Sequence, residues 1–159
     1  MWPRPCSAVL LVLLMSLGGC TTMEADEPET AAAATVAPAA PAGGLDGLIL
    51  AYAEDYDVPV DLVREVVRTE SNFNPQARNG PNLGLMQIRH DTAQTMGYRG
   101  PASGLLDAET NLKYAVKYLR GAYLVADRDP SRAIRFYRSG YYYDAKRKGL
   151  LVETGLRAG

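Results

Sequence analysis

Apolar residues that recur at three- and four-residue intervals restrict the fold of this chain more than any other feature. The first such series is Leu45, Leu48, Ile49, Tyr52 and Tyr56. This spacing places apolar side chains on one face of an α-helix, and Pro59 interrupts it. The sequence therefore predicts an amphipathic helix that begins near Leu45 and packs against further elements of the same kind.

Four further helices are indicated by apolar stripes and by the residues that commonly begin or end helices. Asp61, Asp107 and Asp129 precede three of the stripes and can act as N-caps, and Pro130 stands at a first helical position. A short helix is expected from Asp91 to Met96, ended by Gly97. The three longer stripes are Leu62, Val63, Val66, Val67; Leu112, Val116, Leu119, Tyr123; and Ala133, Ile134, Tyr137.

The segment from Asn72 to Leu83 differs from its surroundings because it is rich in Asn, Pro and Gly. Such residues favour turns, so the segment is predicted to hold at most short strands within an irregular loop. No internal repeat is visible in the sequence. We therefore predict one compact, mainly α domain of the α+β class over residues 45–155, with an irregular central loop region.

The N-terminal residues have the pattern of an export signal. Arg4 supplies a positive charge, and Ser7 to Leu17 is an apolar run too short to remain as a membrane-spanning helix. The sequence Leu17-Gly18-Gly19-Cys20 then resembles the lipobox of bacterial lipoproteins. Residues 1–19 are predicted to be a removed signal peptide, and Cys20 is predicted to carry a lipid; an ordinary cleavage site beside an unmodified cysteine is the alternative.

The remaining N-terminal segment, residues 20–44, is predicted to be a disordered tether. It is composed mainly of Ala, Pro, Thr and acidic residues, without the large apolar side chains that offset the entropy of ordering. Cys6 lies within the predicted signal, so Cys20 would have no intramolecular disulfide partner in the mature chain. The acyl chains on Cys20 would attach the protein to a membrane.

Charge and residue usage argue against several classes of function. The formal net charge is −1, which provides no basic field for a nucleic acid. His90 is the sole histidine, so a His/Cys metal cluster and a Ser-His-Asp triad lack their residues. His90 is expected to have a surface or packing role, and we predict no metal and no cofactor.

Glu70 is the main candidate for catalysis. It continues the helical stripe of Val66 and Val67, which places an ionisable carboxyl at the edge of an apolar face. A carboxyl in such surroundings tends to hold a proton at neutral pH, as a general acid must. Periodicity alone favours a structural carboxylate or a helix-end residue turned to solvent.

The residues around Glu70 carry a more specific signal. Glu70-Ser71-Asn72-Phe73-Asn74-Pro75-Gln76-Ala77 is followed by Gly84-Leu85-Met86-Gln87-Ile88, and later by Asp107-Ala108-Glu109-Thr110-Asn111-Leu112 and Phe136-Tyr137-Arg138-Ser139-Gly140. In this order the motifs resemble the soluble-lytic-transglycosylase (SLT-type) domain, a lysozyme-like family. The resemblance covers residues 45 to 150 and implies a lysozyme-like fold.

The resemblance also implies roles for individual residues. Glu70 would be the catalytic acid and later the base, with Tyr137 orienting its carboxyl through a hydrogen bond and Ser71 supporting the site. Met86 would contact the face of a sugar ring, although packing in the core is an equal alternative, and Gln87 would bond substrate amides or hydroxyls.

Three departures from the family pattern concern the site. The loop between Ala77 and Gly84 is one residue shorter than usual, and Arg138 replaces the usual asparagine. Arg138 is expected to point to solvent, the alternative being a bond to the peptide stem of the substrate. The segment after Gly140 is also short, and Tyr143 is taken to replace the family's late tyrosine.

The implied reaction is cleavage of the bond between N-acetylmuramic acid and N-acetylglucosamine in peptidoglycan, with a 1,6-anhydro-muramyl product. It needs one acid, whereas most glycoside hydrolases use two carboxylates. The alternatives are a hydrolytic muramidase and a peptidoglycan-binding or assembly module with little turnover. The implied location is the periplasmic face of the bacterial cell envelope, where cell-wall or secretion-apparatus proteins are conceivable partners.

Overall fold

A computed structural model describes residues 43–157. The predicted signal peptide and Cys20, and the predicted tether apart from its last two residues, lie outside the described residues. The described part contains six α-helices, α1 to α6, one 3₁₀ helix and three short strands, β1 to β3. The predicted mainly α fold with an irregular central region is therefore confirmed.

The first two helices contact each other and are separated by a short segment that contains Pro59. Helix α1 spans Gly44–Asp55 and helix α2 spans Val60–Ser71. Helix α1 includes Gly44, which the sequence had placed in the tether. The expected cap at Asp61 is wrong, because Pro59 is the N-cap residue and Asp61 lies within the first turn, 3.6 Å from Arg64.

The central region contains a small antiparallel sheet in the order β1-β2-β3. Its strands are Arg78–Asn79, Asn82–Leu83 and Ile88–Arg89. Each has two residues, and the register pairs Asn79 with Asn82 and Leu83 with Ile88. Residues Gly84–Gln87 form the turn between β2 and β3, so the Gly-Leu-Met-Gln motif connects these two strands.

The longest helix, α4, spans Ala108–Val125 and lies at the centre of the domain, in contact with helices that precede it and follow it in sequence. The predicted cap is confirmed, because the Asp107 side chain accepts a hydrogen bond from the Thr110 amide at 2.8 Å. Helix α3 spans His90–Thr95, and the 3₁₀ helix spans Ala102–Leu106. The predicted stripe from Leu112 to Tyr123 is buried.

Two helices complete the domain. Helix α5 spans Pro130–Ser139, and its predicted cap is confirmed by a 2.7 Å hydrogen bond from the Arg132 amide to Asp129. Helix α6 spans Tyr142–Lys148 and was not predicted. Among residues 43–157 no helix combines the length and the apolar character needed to cross a membrane.

Candidate functional site

The domain has a cleft of about 490 Å³ between the end of α2, the sheet and the end of α5. Its walls come from elements that are distant in sequence but meet around the central helix α4. The lining residues are Thr69, Glu70, Asn82, Gln87, Ile88, Arg89, Thr92, Tyr118, Tyr137, Arg138, Ser139 and Gly140. Several of the residues picked out from the sequence thus lie together.

Glu70 lies in the last turn of α2, with 21% of its side chain exposed. It is therefore at the cleft wall and not in the core. Of the described residues that line the cleft, it is the one carboxylic acid. Asn72 and Phe73 follow it with φ values of 50° and 63°, so the chain turns sharply away and leaves the carboxyl accessible.

Arg138 does not point freely into solvent as expected. Its Nε donates to Glu70 Oε1 at 2.8 Å, which joins the last turns of α2 and α5 across 68 positions of sequence. The side chain of Arg138 remains 48% exposed. A carboxylate at a helix C-terminus is disfavoured by the helix dipole, and the guanidinium offsets that charge. For a pair this exposed, the net contribution to stability is about 1 kcal/mol or less.

Tyr137 lies beside Glu70, but its hydrogen bond differs from the predicted one. The hydroxyl donates to the backbone carbonyl of Met86 at 2.8 Å. Because a phenol has a single hydrogen to donate, Tyr137 does not hold Glu70 in this way. The residue instead fixes the turn between β2 and β3 against α5.

Met86 does not line the groove, which corrects the first of its two predicted roles. Its side chain is fully buried, and the core alternative is the one observed. The reason lies in the backbone, because the Met86 amide donates to Asn111 Oδ1 at 2.9 Å while the carbonyl accepts from Tyr137. These two hydrogen bonds hold the Met86 backbone against the interior of the domain.

Gln87 does line the cleft, as expected, with a φ of 50° that is uncommon for a residue other than glycine. Its side-chain nitrogen donates to the carbonyls of Ala77 and Gly84, at 3.1 and 2.9 Å. Both amide hydrogens are used within the protein, which leaves the side-chain oxygen as the group that can accept from a ligand.

The other predicted positions lie outside the cleft lining. Ser71 is half-buried, and its hydroxyl donates to the Val67 carbonyl at 3.2 Å. Tyr143 is 73% exposed on α6 and packs edge-on against Tyr142, so its assignment to the groove is corrected. His90 forms no hydrogen bond with a cleft residue. Its Nε2 is hydrogen-bonded to the Gly100 carbonyl at 3.0 Å, in agreement with a packing role.

Asn111 organises the site and was not recognised from the sequence. It is fully buried, and its amide nitrogen donates to the carbonyls of Leu83 and Leu105, at 2.8 and 2.7 Å. With the bond from the Met86 amide, the side chain makes three hydrogen bonds to the backbone. Its position beside Leu112, at the start of the apolar stripe of α4, was the available signal, since a buried amide needs such partners.

Three tyrosines pack together beside the cleft, and two of them, Tyr118 and Tyr137, line it. The ring centroids of Tyr118 and Tyr137 are 5.5 Å apart, and those of Tyr118 and Tyr141 are 4.8 Å apart. Tyr141 is buried and donates to the Tyr118 carbonyl at 2.8 Å. Of the tyrosines after Gly140, Tyr141 thus packs against this cluster, whereas Tyr143 is exposed.

Burial in this cluster raises the pKa of all three phenols, and the pKa values of Tyr137 and Tyr141 lie well above the ordinary 10.0. The Glu70 carboxylate adds to the effect of burial on the pKa of Tyr137. Above pH 10 the unfolded chain releases protons that the folded chain retains. The contribution of these buried tyrosines to the free energy of unfolding is therefore fully present below pH 10 and is lost as pH rises further.

We expect the free energy of unfolding to fall above pH 10 by up to about 1.4 kcal/mol per pH unit for each fully buried tyrosine. Urea denaturation between pH 8 and pH 11.5 would measure this slope, with Tyr141→Phe compared with the exposed Tyr143→Phe as control. Tyr141→Phe should reduce the slope and Tyr143→Phe should not. Equal slopes in both variants would contradict the burial argument.

Removing the Tyr137 hydroxyl tests the contact with Met86. Tyr137→Phe leaves a buried carbonyl without its donor and should lower the free energy of unfolding by about 1–2 kcal/mol. Amide hydrogen exchange in the Gly84–Gln87 turn should rise with it. Tyr142→Phe, on the exposed side of α6, is the control, and an unchanged exchange rate in Tyr137→Phe would show that the hydrogen bond does not hold the turn.

Among residues 43–157 there is no group of three or more His, Cys, Asp or Glu side chains placed to hold a metal ion. The second arginine of the cleft, Arg89, is paired with Asp91 at 2.7 Å. Hydrogen bonds from Arg89 and from the Thr92 amide lower the pKa of Asp91 to about 2. Asp91 is thus a charged structural residue at the start of α3.

Comparisons with known proteins give matches to the part of the chain that forms this domain. A model of the transglycosylase SLT domain matches residues 47–149. The chain is also 38% identical over 100 residues to the peptidoglycan transglycosylase gp16 of Escherichia phage T7. That match covers 60% of this chain but 8% of the phage protein, and no solved structure matches. The chain belongs to the transglycosylase SLT domain family.

Proposed function

We propose that this protein is a peptidoglycan lytic transglycosylase that uses Glu70 as its single acid and base. The observation that carries the proposal is the isolation of Glu70 at the cleft wall, since no other described cleft residue is a carboxylic acid. The phage relative, a peptidoglycan transglycosylase, supports the choice of substrate. Family membership supports the same class of reaction.

In the proposed reaction Glu70 donates a proton to the glycosidic oxygen that leaves C1 of N-acetylmuramic acid. The acetamido group of the same sugar stabilises the positive charge that develops at C1, which is the task a second carboxylate performs in most glycoside hydrolases. Glu70, now ionised, removes the proton of the C6 hydroxyl, whose oxygen bonds to C1. The products are a 1,6-anhydro-muramyl end and a new N-acetylglucosamine end, and water is not consumed.

Three further residues have binding or positioning roles in this proposal. The Gln87 oxygen is free to accept a hydrogen bond from an acetamido N–H or a sugar hydroxyl, since its nitrogen is bound within the protein. Tyr137 and Asn111 act indirectly, by holding the turn that carries Gln87. They are positioning residues.

We further propose that the protein acts in the bacterial cell envelope, on the periplasmic face of a membrane to which the lipid on Cys20 attaches it. The export pattern before Cys20 supports this location. Labelling with a radioactive or clickable fatty acid, compared between wild type and Cys20→Ala, tests it. Label in wild type alone is expected, and equal absence of label in both would refute the anchor.

The reaction is tested by mass spectrometry of the soluble products released from purified peptidoglycan. Muropeptides lighter by one water than the hydrolysis products are the expected result. Reducing ends would instead assign the protein as a muramidase, and absence of soluble products from folded protein would favour a binding or assembly module. Both results would overturn the proposal.

A further inference from the structure

The guanidinium of Arg138 has a binding capacity that the ion pair with Glu70 does not use. Its Nε donates the hydrogen bond to Glu70, and its two terminal nitrogens form no hydrogen bond to any residue between 43 and 157. Nearly half of the side chain is exposed, and it lines the cleft. An arginine in this state presents a planar pair of N–H groups that matches the two oxygens of a carboxylate.

The ion pair also conflicts with the role of Glu70 as an acid. A guanidinium attracts the ionised carboxylate, whereas a general acid must hold a proton when it meets the glycosidic oxygen. A proton on Glu70 removes the negative charge that balances Arg138. The active form of the cleft therefore requires another anion beside Arg138, or leaves that cation without a partner.

From this geometry we propose that Arg138 forms a carboxylate subsite, at which a carboxylate of the bound glycan replaces Glu70 as counter-ion. The inference rests on the proposed function, because it takes the bound polymer to be peptidoglycan. In the free protein Arg138 pairs with Glu70, and in the complex it pairs with the carboxylate of the substrate. Binding of a carboxylate at this subsite thereby releases the acid for catalysis.

The position of Arg138 supports an exchange of partners. It lies in the last turn of α5, directly before the Ser139 and Gly140 segment of the cleft, and its neighbour Tyr137 is anchored in the interior. The side chain can thus move while the backbone stays fixed. The other cleft arginine, Arg89, is less suited, because both its Nε and a terminal nitrogen are bound to Asp91.

Two carboxylates of peptidoglycan could occupy the subsite, and three probes separate them. Chitotetraose is a neutral glycan of similar backbone. Peptide-free strands prepared with an amidase carry only the lactyl carboxylate of N-acetylmuramic acid. Strands that retain their stem peptides carry the peptide carboxylates and no free lactyl group.

The test measures the dissociation constant of each probe for the full-length protein by calorimetry, in a Glu70→Gln background that prevents cleavage. With Arg138 present, we expect one or both carboxylate probes to bind about tenfold more tightly than chitotetraose at low salt. Arg138→Asn should abolish this preference for the carboxylate probes over the neutral probe. Arg138→Lys should restore part of it, since a lysine keeps the charge but loses the planar fork.

Arg128→Asn is the matched control. Arg128 is also an exposed arginine in an ion pair, with Asp57 at 2.7 Å, but it lies away from the cleft. Its φ of 62° is one that asparagine accepts readily. The control variant should keep the full preference for the carboxylate probes, which separates a local subsite from the loss of one positive charge.

The Arg138→Asn change in the otherwise wild-type protein extends the test to catalysis. We expect the ratio of kcat/KM on the preferred carboxylate substrate to kcat/KM on a neutral oligosaccharide to fall about tenfold. A charge preference that survives Arg138→Asn, or that is absent in the presence of Arg138, would overturn the subsite. If every glycan remains uncut while the preference holds, the subsite stands and the proposed reaction fails.

Discussion

Replacing Asn111 by alanine should lower the free energy of unfolding by about 3–5 kcal/mol, although the residue is far from the surface and carries no charge. The change removes three hydrogen bonds from a fully buried position. It leaves the Met86 amide and the carbonyls of Leu83 and Leu105 without their partner. Each unsatisfied buried group costs roughly 1–3 kcal/mol.

Gly84 lies on the other side of the contact with Asn111. Its φ is 73°, and a Cβ at this position would collide with the Asn111 amide and the Leu105 carbonyl. Gly84→Ala should therefore displace Asn111 and cause a loss of similar size. The two substitutions should be strongly non-additive, because both disrupt one contact.

Urea denaturation of Asn111→Ala, Gly84→Ala and the double variant measures these effects. Asn79→Ala is the control, since Asn79 is exposed on β1 of the same sheet. We expect the control to change stability by less than about 0.5 kcal/mol. A loss below about 1 kcal/mol in Asn111→Ala would contradict the view that Asn111 holds the Gly-Leu-Met-Gln turn in place.

Glu70→Gln is expected to reduce glycan cleavage by about a thousandfold, within the range that a general acid contributes. Glutamine has the same shape and retains an oxygen that can accept the hydrogen bond from Arg138 Nε. It cannot donate the proton that the leaving oxygen needs. The variant should therefore keep its fold and bind glycan strands while cutting them very slowly.

The matched control is Glu65→Gln. Glu65 lies on the same helix and pairs with Arg68 at 2.7 Å, but it does not line the cleft. Its activity should remain within about twofold of wild type. Initial rates of soluble muropeptide release would compare the three proteins, and undiminished cleavage by Glu70→Gln would remove Glu70 from the mechanism.

The sequence predicted the helices of this domain well because helical periodicity and capping are local properties. The caps at Asp107 and Asp129 and the stripe from Leu112 to Tyr123 needed no knowledge of tertiary structure. Helix α6 was missed because its seven residues contain one buried side chain, Ala145, and so show no apolar stripe.

The contacts within the cleft were harder to predict because they join residues far apart in sequence. Arg138 and Glu70 are separated by 68 positions, and Met86 and Tyr137 by 51. The motif placed Glu70 and Gln87 at the cleft correctly, but it could not give the direction of the Met86 side chain. That direction follows from two backbone hydrogen bonds that form only in the folded domain.

Digestion of peptidoglycan in water enriched in ¹⁸O tests the proposed reaction most directly. Products would be analysed by mass spectrometry at early times, after reduction of any new sugar aldehydes with borohydride. If Glu70 transfers the C6 oxygen to C1, the new muramyl ends will be anhydro forms without ¹⁸O, and Glu70→Gln will yield almost none. New muramyl ends that carry one ¹⁸O atom would show that water attacks C1 and would contradict the lytic transglycosylase.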